Sequence, residues 1–223
     1  MTAFDLNSDS VRALNQHLHE SPSGKLSVTN PGGRHCIACG INAAVEVSID
    51  GHVGYYCAGM NKNAQITIAG NAGPGVAENI MSGSVRVKGN ASQYAGASGQ
   101  GGTLIIEGDA SARCGISMKG VDIVVAGSVG HMSGFMAQKG RLIICGDAGN
   151  SLGDSIYEAC IYVRGNVGEL GADCIEKEMT AEHTENLKDL LASTGIDANA
   201  EEFRRYGSAR KLYNFNIDHA DDY

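Results

Sequence analysis

The chain has 223 residues, of which 31 are glycine and 3 are proline, with no tryptophan and only 5% aromatics. That is enough chain for one or two domains around a core of stacked aliphatic side chains, and glycines that do not recur every third residue exclude collagen. The formal net charge is −8, with eleven acidic against six basic residues in 176–223. No basic stripe is left to displace counterions from a phosphate backbone, so no nucleic-acid partner is expected.

At the N-terminus, Met1-Thr2-Ala3-Phe4-Asp5 lacks the basic region and apolar core of a signal peptide, and no apolar run approaches the ~20 residues of a membrane span. Seven cysteines, an odd number without regular disulfide spacing, read as reduced thiols of a cytoplasmic protein. Residues 8–19 open on Ser and Asp and place Val11, Leu14 and Leu18 at helical spacing, which predicts a short helix. Residues 20–46 carry Pro22, Gly24, Pro31, Gly32 and Gly33 and read as loop with an irregular first coil. Residues 1–40 are thus expected to form a helix-and-loop cap.

Residues 41–179 are governed by a repeat. Gly51, Gly70, Gly89, Gly108, Gly127, Gly146 and Gly165 are spaced 19 apart. Four residues before them stand Val47, Ile66, Val85, Leu104, Ile123, Leu142 and Ile161; two before stand Ile49, Ile68, Val87, Ile106, Val125, Ile144 and Val163. This is period-two alternation of strand-forming residues ended by a turn glycine, seven times over. One position after each glycine runs a polar column, His52, Asn71, Asn90, Asp109, Ser128, Asp147 and Asn166. Seven positions after, the residue is always Ala or Gly, from Ala58 to Ala172. Nineteen residues cannot bury an apolar face alone, so the copies must stack; the period is too short for paired-helix repeats of ~34 residues. The fold class expected is all-β: a single-stranded parallel β-helix of seven coils, each ~4.8 Å from the next, right-handed as parallel crossovers are. The glycines are expected to turn the corners with positive φ.

Residues 180–223 read as a helical tail. Thr180 opens a helix to Ser193 stopped by Gly195, with Leu187, Leu190 and Leu191 on one face, and a second helix is predicted over 199–206, ended by Gly207. Tyr213-Asn214-Phe215-Asn216-Ile217 is apolar enough to dock on the rod or on a neighbouring chain.

Sites of chemistry are sparse. The seven histidines show no metal-ligand spacing. Cys36-Ile37-Ala38-Cys39 is the one candidate for a metal or redox site; without a second pair at zinc spacing, structural thiols are the preferred reading. Only two of seven polar-column residues are acidic, which argues against calcium, and the Gly-x-Gly runs precede no helix that would make them a dinucleotide fingerprint. No catalytic, cofactor-binding or metal residue is therefore assigned. Arg113, Lys119, His131, Met132, Phe135 and Met136 form a basic, methionine-rich stretch over two coils and, with Tyr213 and Phe215, are the candidates for a subunit interface.

The series Gly70-Asn-Ala-Gly73, Gly108-Asp-Ala-Ser-Ala-Arg-Cys-Gly115, Gly127-Ser-Val-Gly-His-Met-Ser-Gly-Phe-Met136 and Gly146-Asp-Ala-Gly-Asn-Ser-Leu-Gly-Asp-Ser-Ile-Tyr-Glu158 resembles the C-terminal Gly-x-Gly-x-Gly β-helix domain of glutamate synthase over about residues 40–180. Standing alone, the repeat looks like the middle subunit of three-subunit glutamate-synthase-like enzymes, above all the N-methylglutamate synthase type of methylamine metabolism. The resemblance implies two partners in a hetero-oligomer: a glutamine-amidotransferase-like subunit and a synthase subunit holding FMN and iron–sulfur clusters. It implies that this chain braces them and helps enclose the ammonia or methylamine path. The family's catalytic cysteine, FMN ligands and cluster cysteines have no matching positions, so no cofactor is expected in this chain. A related repeat in formylmethanofuran dehydrogenase gives an alternative, a scaffold in a one-carbon complex, and a structural homo-oligomer is a third. Acyltransferase β-helices are set aside because hexapeptide repeats give a coil of about 18 residues.

Overall fold

The computed structural model describes residues 2–20 and 22–210. Its strands are β1 (Thr2–Asp5), β2 (Gly24–Thr29), β3 (Val45–Asp50), β4 (Gln65–Ile68), β5 (Ser84–Val87), β6 (Thr103–Ile106), β7 (Lys119–Val125), β8 (Lys139–Ile144), β9 (Cys160–Val163), β10 (Cys174–Lys177) and β11 (Arg204–Ser208). Two α-helices, α1 (Val11–His19) and α2 (Ala181–Thr194), and a 3₁₀ turn at Ala200–Glu202 complete the order. From β3 to β9 the strands pair in parallel with a constant offset: Val47, Ile66, Val85, Leu104, Ile123, Leu142 and Ile161 form one line of partners. All fourteen aliphatic positions identified by the repeat are buried, at 0–1% exposure. The parallel β-solenoid of seven stacked coils is thus present, and its interior is the aliphatic stack.

Two further walls close each coil. Val53, Ala72, Ala91, Ala110, Val129, Ala148 and Val167 form a column of single parallel bridges. Opposite the strands the chain runs through an arch in which every second residue is left-handed. Tyr56, Gly75, Tyr94, Arg113, Met132 and Ser151 have positive φ, as do Ala58, Ala77, Gly96, Gly115, Gly134 and Gly153, and Met60, Asn79, Ser98, Ser117, Met136 and Ser155. No β-branched residue occupies any of these positions, which matches the steric exclusion of such side chains from positive φ. Each left-handed residue turns its N–H toward a neighbouring coil: Tyr56 donates forward to Pro74 O, Ala58 back to Ile37 O and Met60 forward to Glu78 O, at 2.8, 2.9 and 2.8 Å. Coil after coil repeats that alternation. The small column seven places after the glycines is the middle position of this arch and points inward; an added Cβ at Gly96 would meet Ile123 Cδ1 at 2.6 Å.

The glycine column works differently from its sequence reading. Of Gly51, Gly70, Gly89, Gly108, Gly127, Gly146 and Gly165, only Gly51 has positive φ, 135°. The others are glycine because of crowding: the polar residue of one coil lies across the glycine of the next. Asn71 Oδ1 accepts the N–H of Asn90 (2.9 Å), Asn90 Oδ1 that of Asp109 (2.9 Å) and Asp109 Oδ1 that of Ser128 (2.7 Å). His52 Nδ1, Ser128 Oγ and Asp147 Oδ1 continue the ladder. An added Cβ on Gly127 would stand 2.2 Å from Asp109 Oδ1 and 2.8 Å from Gly108 O.

Both ends depart from the expected boundaries. Residues 1–40 are more than a cap, because β2 pairs with β3 and β1 with β2, both in parallel. The first arch, with Cys36, Ala38 and Gly40 left-handed, belongs to this extra turn. Helix α1, capped by Ser10 Oγ accepting from Ala13 N (3.1 Å), covers its open end, with Leu6, Leu14 and Leu18 at 0–1% exposure. Ala38 has no preceding coil to donate to. Its N–H goes to Asn15 Oδ1 (2.9 Å), while Asn15 Nδ2 donates to Cys36 O (2.7 Å). Asn15→Ala leaves both buried backbone groups unpaired and is expected to cost about 1–3 kcal/mol. Asn15→Asp, which keeps the acceptor for Ala38, is expected to lose less; urea midpoints of the two variants check the ranking.

At the other end, Thr180 and His183 form a reciprocal capping box and Gly195, at φ 68°, stops α2 after Thr194, as the sequence indicates. The second helix expected over 199–206 is absent. Residues 200–202 make one 3₁₀ turn, and β11 inserts antiparallel between β9 and β10 (Arg204 opposite Val163, Tyr206 opposite both Ile161 and Glu176). Pairing with an otherwise open sheet edge outweighs the local helical preference of this segment. Outside the solenoid, α2 lies over the outward side chains of the later strands. Val124, Ile143, Cys145 and Tyr162 form a second core with Leu187, Leu190, Leu191, Ala200 and Phe203. Arg86 donates to Thr194 O at the helix C-terminus, a favourable site for a cation. Arg141 pairs Asp122 in a fork, Nε to Oδ1 at 2.8 Å and Nη2 to Oδ2 at 2.6 Å.

Candidate functional site

With the strand wall of the later coils covered by α2, the arch wall carries several of the large apolar side chains that stand in the open, Met81 past the arch and Ile175 on β10 being others. Its left-handed backbone aims side chains at the first and last arch positions outward. Tyr55 is 49% exposed, Met60 41% and Met136 38%. Tyr55 and Tyr56 rings lie 5.5 Å apart, with His35 edge-on to Tyr55 at 6.3 Å. Arg113 stacks its guanidinium over the Tyr94 ring, 5.9 Å from the centroid, a cation–π contact that holds a positive charge flat against this wall.

Five of the six described interface candidates come together here. Arg113 and Met132 occupy the same arch position in adjacent coils, both with positive φ, and Phe135 and Met136 follow at the far side of the arch. His131 is exposed and its Nδ1 lies 3.1 Å from Asn150 O, so one ring nitrogen is held by the next coil. Lys119 is separate: it is the exposed first residue of β7, past the arch. Tyr213 and Phe215 lie outside the described residues. Tyr55, Tyr56, Met60 and Tyr94 escaped the sequence reading. Their signal was available as the large side chains at the fourth, fifth and ninth positions after Gly51 and the fifth after Gly89.

The Cys36–Cys39 pair lies at the first arch. Burial, with a smaller contribution from the neighbouring Cys36 thiol, pushes the Cys39 thiol up to about 12. Its Sγ donates to Tyr56 O at 2.8 Å. Cys57 sits behind them, buried, with its thiol raised by the same desolvation. Burial likewise raises Cys114 to about 12 and Cys174 to about 11. A thiol held protonated is a poor metal ligand or nucleophile. Among the described residues no three His, Cys, Asp or Glu side chains converge as a metal site requires. Two concavities are open grooves: about 660 Å³ beside α1 and about 400 Å³ between Asn7, Arg34 and His52. No helix among the described residues is long and apolar enough to cross a membrane.

Neither a family model nor a solved structure matches the chain. A relative does. "Protein GlxC" of Rhizobium meliloti (strain 1021) is 57% identical over 228 residues, covering 100% of both chains. At that identity and coverage, the chain belongs to the GlxC family.

Proposed function

We propose that this chain is a non-catalytic structural subunit of a glutamate-synthase-type hetero-oligomeric enzyme, of the N-methylglutamate synthase kind that joins methylamine to glutamate. It braces an amidotransferase-like subunit and an FMN and iron–sulfur synthase subunit, and helps enclose the path of ammonia or methylamine between them. The resemblance of the coil sequences to the glutamate synthase β-helix supplies the class of enzyme. The observation that carries the scaffold role is the arch wall: aromatic and methionine side chains with a stacked arginine, the composition of interface anchors, spread over several coils of a rod whose every coil is bonded to its neighbours. Such a rod holds two partners at a fixed separation. A small amine passing between active sites needs that fixed geometry, because amine released to solvent is lost to the reaction.

The double variant Tyr55→Asp/Met136→Asp tests this. Both side chains are exposed and neither fills the core, so the thermal midpoint is expected to stay within about 2 °C of wild type. Recovery of partner subunits on a tagged chain is expected to fall at least about tenfold, which corresponds to ~1.4 kcal/mol. Undiminished recovery would remove the arch wall as the partner surface.

A further inference from the structure

The first arch brings together features that the scaffold role does not use. Cys36 and Cys39 are both half-buried, and the Cys36 thiol is near enough to disfavour ionisation of Cys39. Cys36 opens onto the groove beside α1, which Arg12, Asn15, Gln16, His19 and Glu20 also line. Cys39 faces the other way, with its Sγ bonded to Tyr56 O in the next coil. The backbone carbonyls of the same two cysteines are what α1 grips: Asn15 Nδ2 donates to Cys36 O at 2.7 Å and His19 Nε2 lies 2.8 Å from Cys39 O. A thiol on the groove, a second thiol three residues on and a groove carrying both a guanidinium and a carboxylate suit a small disulfide with carboxylate and amino groups, which Arg12 and Glu20 can pair.

We propose that Cys36 and Cys39 form a thiol–disulfide exchange site for a small anionic disulfide of the glutathione disulfide class. The Cys36 thiolate attacks one sulfur of the small disulfide, forming a mixed disulfide and expelling one small thiolate. Cys39 gives up its proton to water and attacks the Cys36 sulfur, closing the Cys36–Cys39 bond and expelling the second small thiolate. Two protein thiols are oxidised, one small disulfide is reduced to two small thiols, and the two protons lost by the protein are taken up by them. The burial that disfavours the Cys39 thiolate makes the second step the slow one. Closing the bond removes the S–H that Tyr56 O accepts. The change therefore falls on the residues whose carbonyls anchor α1.

The experiment exposes the reduced full chain to glutathione disulfide under native conditions, quenches with acid and maps the cysteine peptides. The expected wild-type product is lighter by two hydrogens, with the bond between residues 36 and 39. Cys39→Ser is expected to stop at a glutathione adduct on Cys36, and Cys36→Ser to form neither adduct nor bond in this arch. Cys160, half-buried on β9, serves as the comparison and is expected to enter no bridge. Hydrogen exchange over residues 11–19 is expected to differ between the reduced and bridged wild-type forms. A wild-type chain that forms no 36–39 bond across a glutathione redox titration would overturn the proposal, and this outcome does not depend on either variant folding. So would an adduct on Cys39 in Cys36→Ser as fast as the wild-type reaction.

Discussion

Gly127→Val is expected to lower the stability of the solenoid by about 3 kcal/mol, combining overpacking with loss of a charge-assisted hydrogen bond. The residue is not at positive φ, so the strain is one of space. A Cβ there would meet Asp109 Oδ1 at 2.2 Å and the Gly108 carbonyl oxygen at 2.8 Å. Moving the Asp109 side chain aside breaks its 2.7 Å bond to the Ser128 N–H. The backbone of Gly108 has no such freedom, because it is fixed by its own inter-coil bonds. A second variant separates the two collisions. In an Asp109→Ala background the carboxylate is gone, and Gly127→Val is expected to cost less there than in wild type, the remainder being the clash with the backbone. Urea unfolding of the four proteins measures this coupling. Equal costs in both backgrounds would mean that the polar ladder does not cross the glycines.

Leu187→Ala is expected to cost about 2–4 kcal/mol, the range for a fully buried leucine whose cavity cannot collapse. Leu187 is 1% exposed and packs with Leu190, Leu191 and Phe203 over the outer faces of β7, β8 and β9. Those strands cannot relax toward the helix without breaking register with the coils on either side. The effect should appear locally first. Amide exchange in α2 is expected to accelerate more than in β3 or β4, which lie beyond the helix, because the outer layer opens before the stacked coils do. Uniform acceleration over all coils would contradict a separate outer layer.

The legible part of this molecule is the part that stacks. Ile123 in one coil rests on Leu104 and under Leu142, so each aliphatic position is constrained by copies of itself, and the column survives as a pattern. The arch was much less legible. Its outward left-handed positions hold Tyr56, Tyr94, Arg113, Met132 and Ser151, side chains with no common chemistry. What unites them is an exclusion, the lack of β-branched residues, which is harder to notice than a preference. The conspicuous glycines suggest positive φ, whereas the geometry places it mostly at the less conspicuous positions five, seven and nine residues later, such as Tyr94, Gly96 and Ser98. The outer layer had a signal that went unused. Along the outward position of the strands, Ser48, Thr67 and Arg86 give way to Ile105, Val124, Ile143 and Tyr162, which marks the coils that something must cover. The helix expected over 199–206 gives way to a strand from Arg204 because that strand depends on pairing with β9, forty residues earlier, and no local preference records a partner so distant.

The same division holds for the candidate site. Arg113, Met132, Phe135 and Met136 could be found from sequence because they fall in two consecutive coils. Tyr55 and Met60 join them only when coils far apart in sequence are laid side by side. The wall extends beyond the segment that first drew attention to it, and the scaffold reading rests on that extent.

The most direct test of that reading is purification of the tagged chain from its native cell, with identification of the accompanying chains and an absorption spectrum of the assembly. The expected result is an amidotransferase-like chain and a flavin-bearing chain in fixed proportion, with the yellow-brown absorbance of flavin and iron–sulfur clusters. A colourless chain recovered alone, or only with copies of itself, would contradict it.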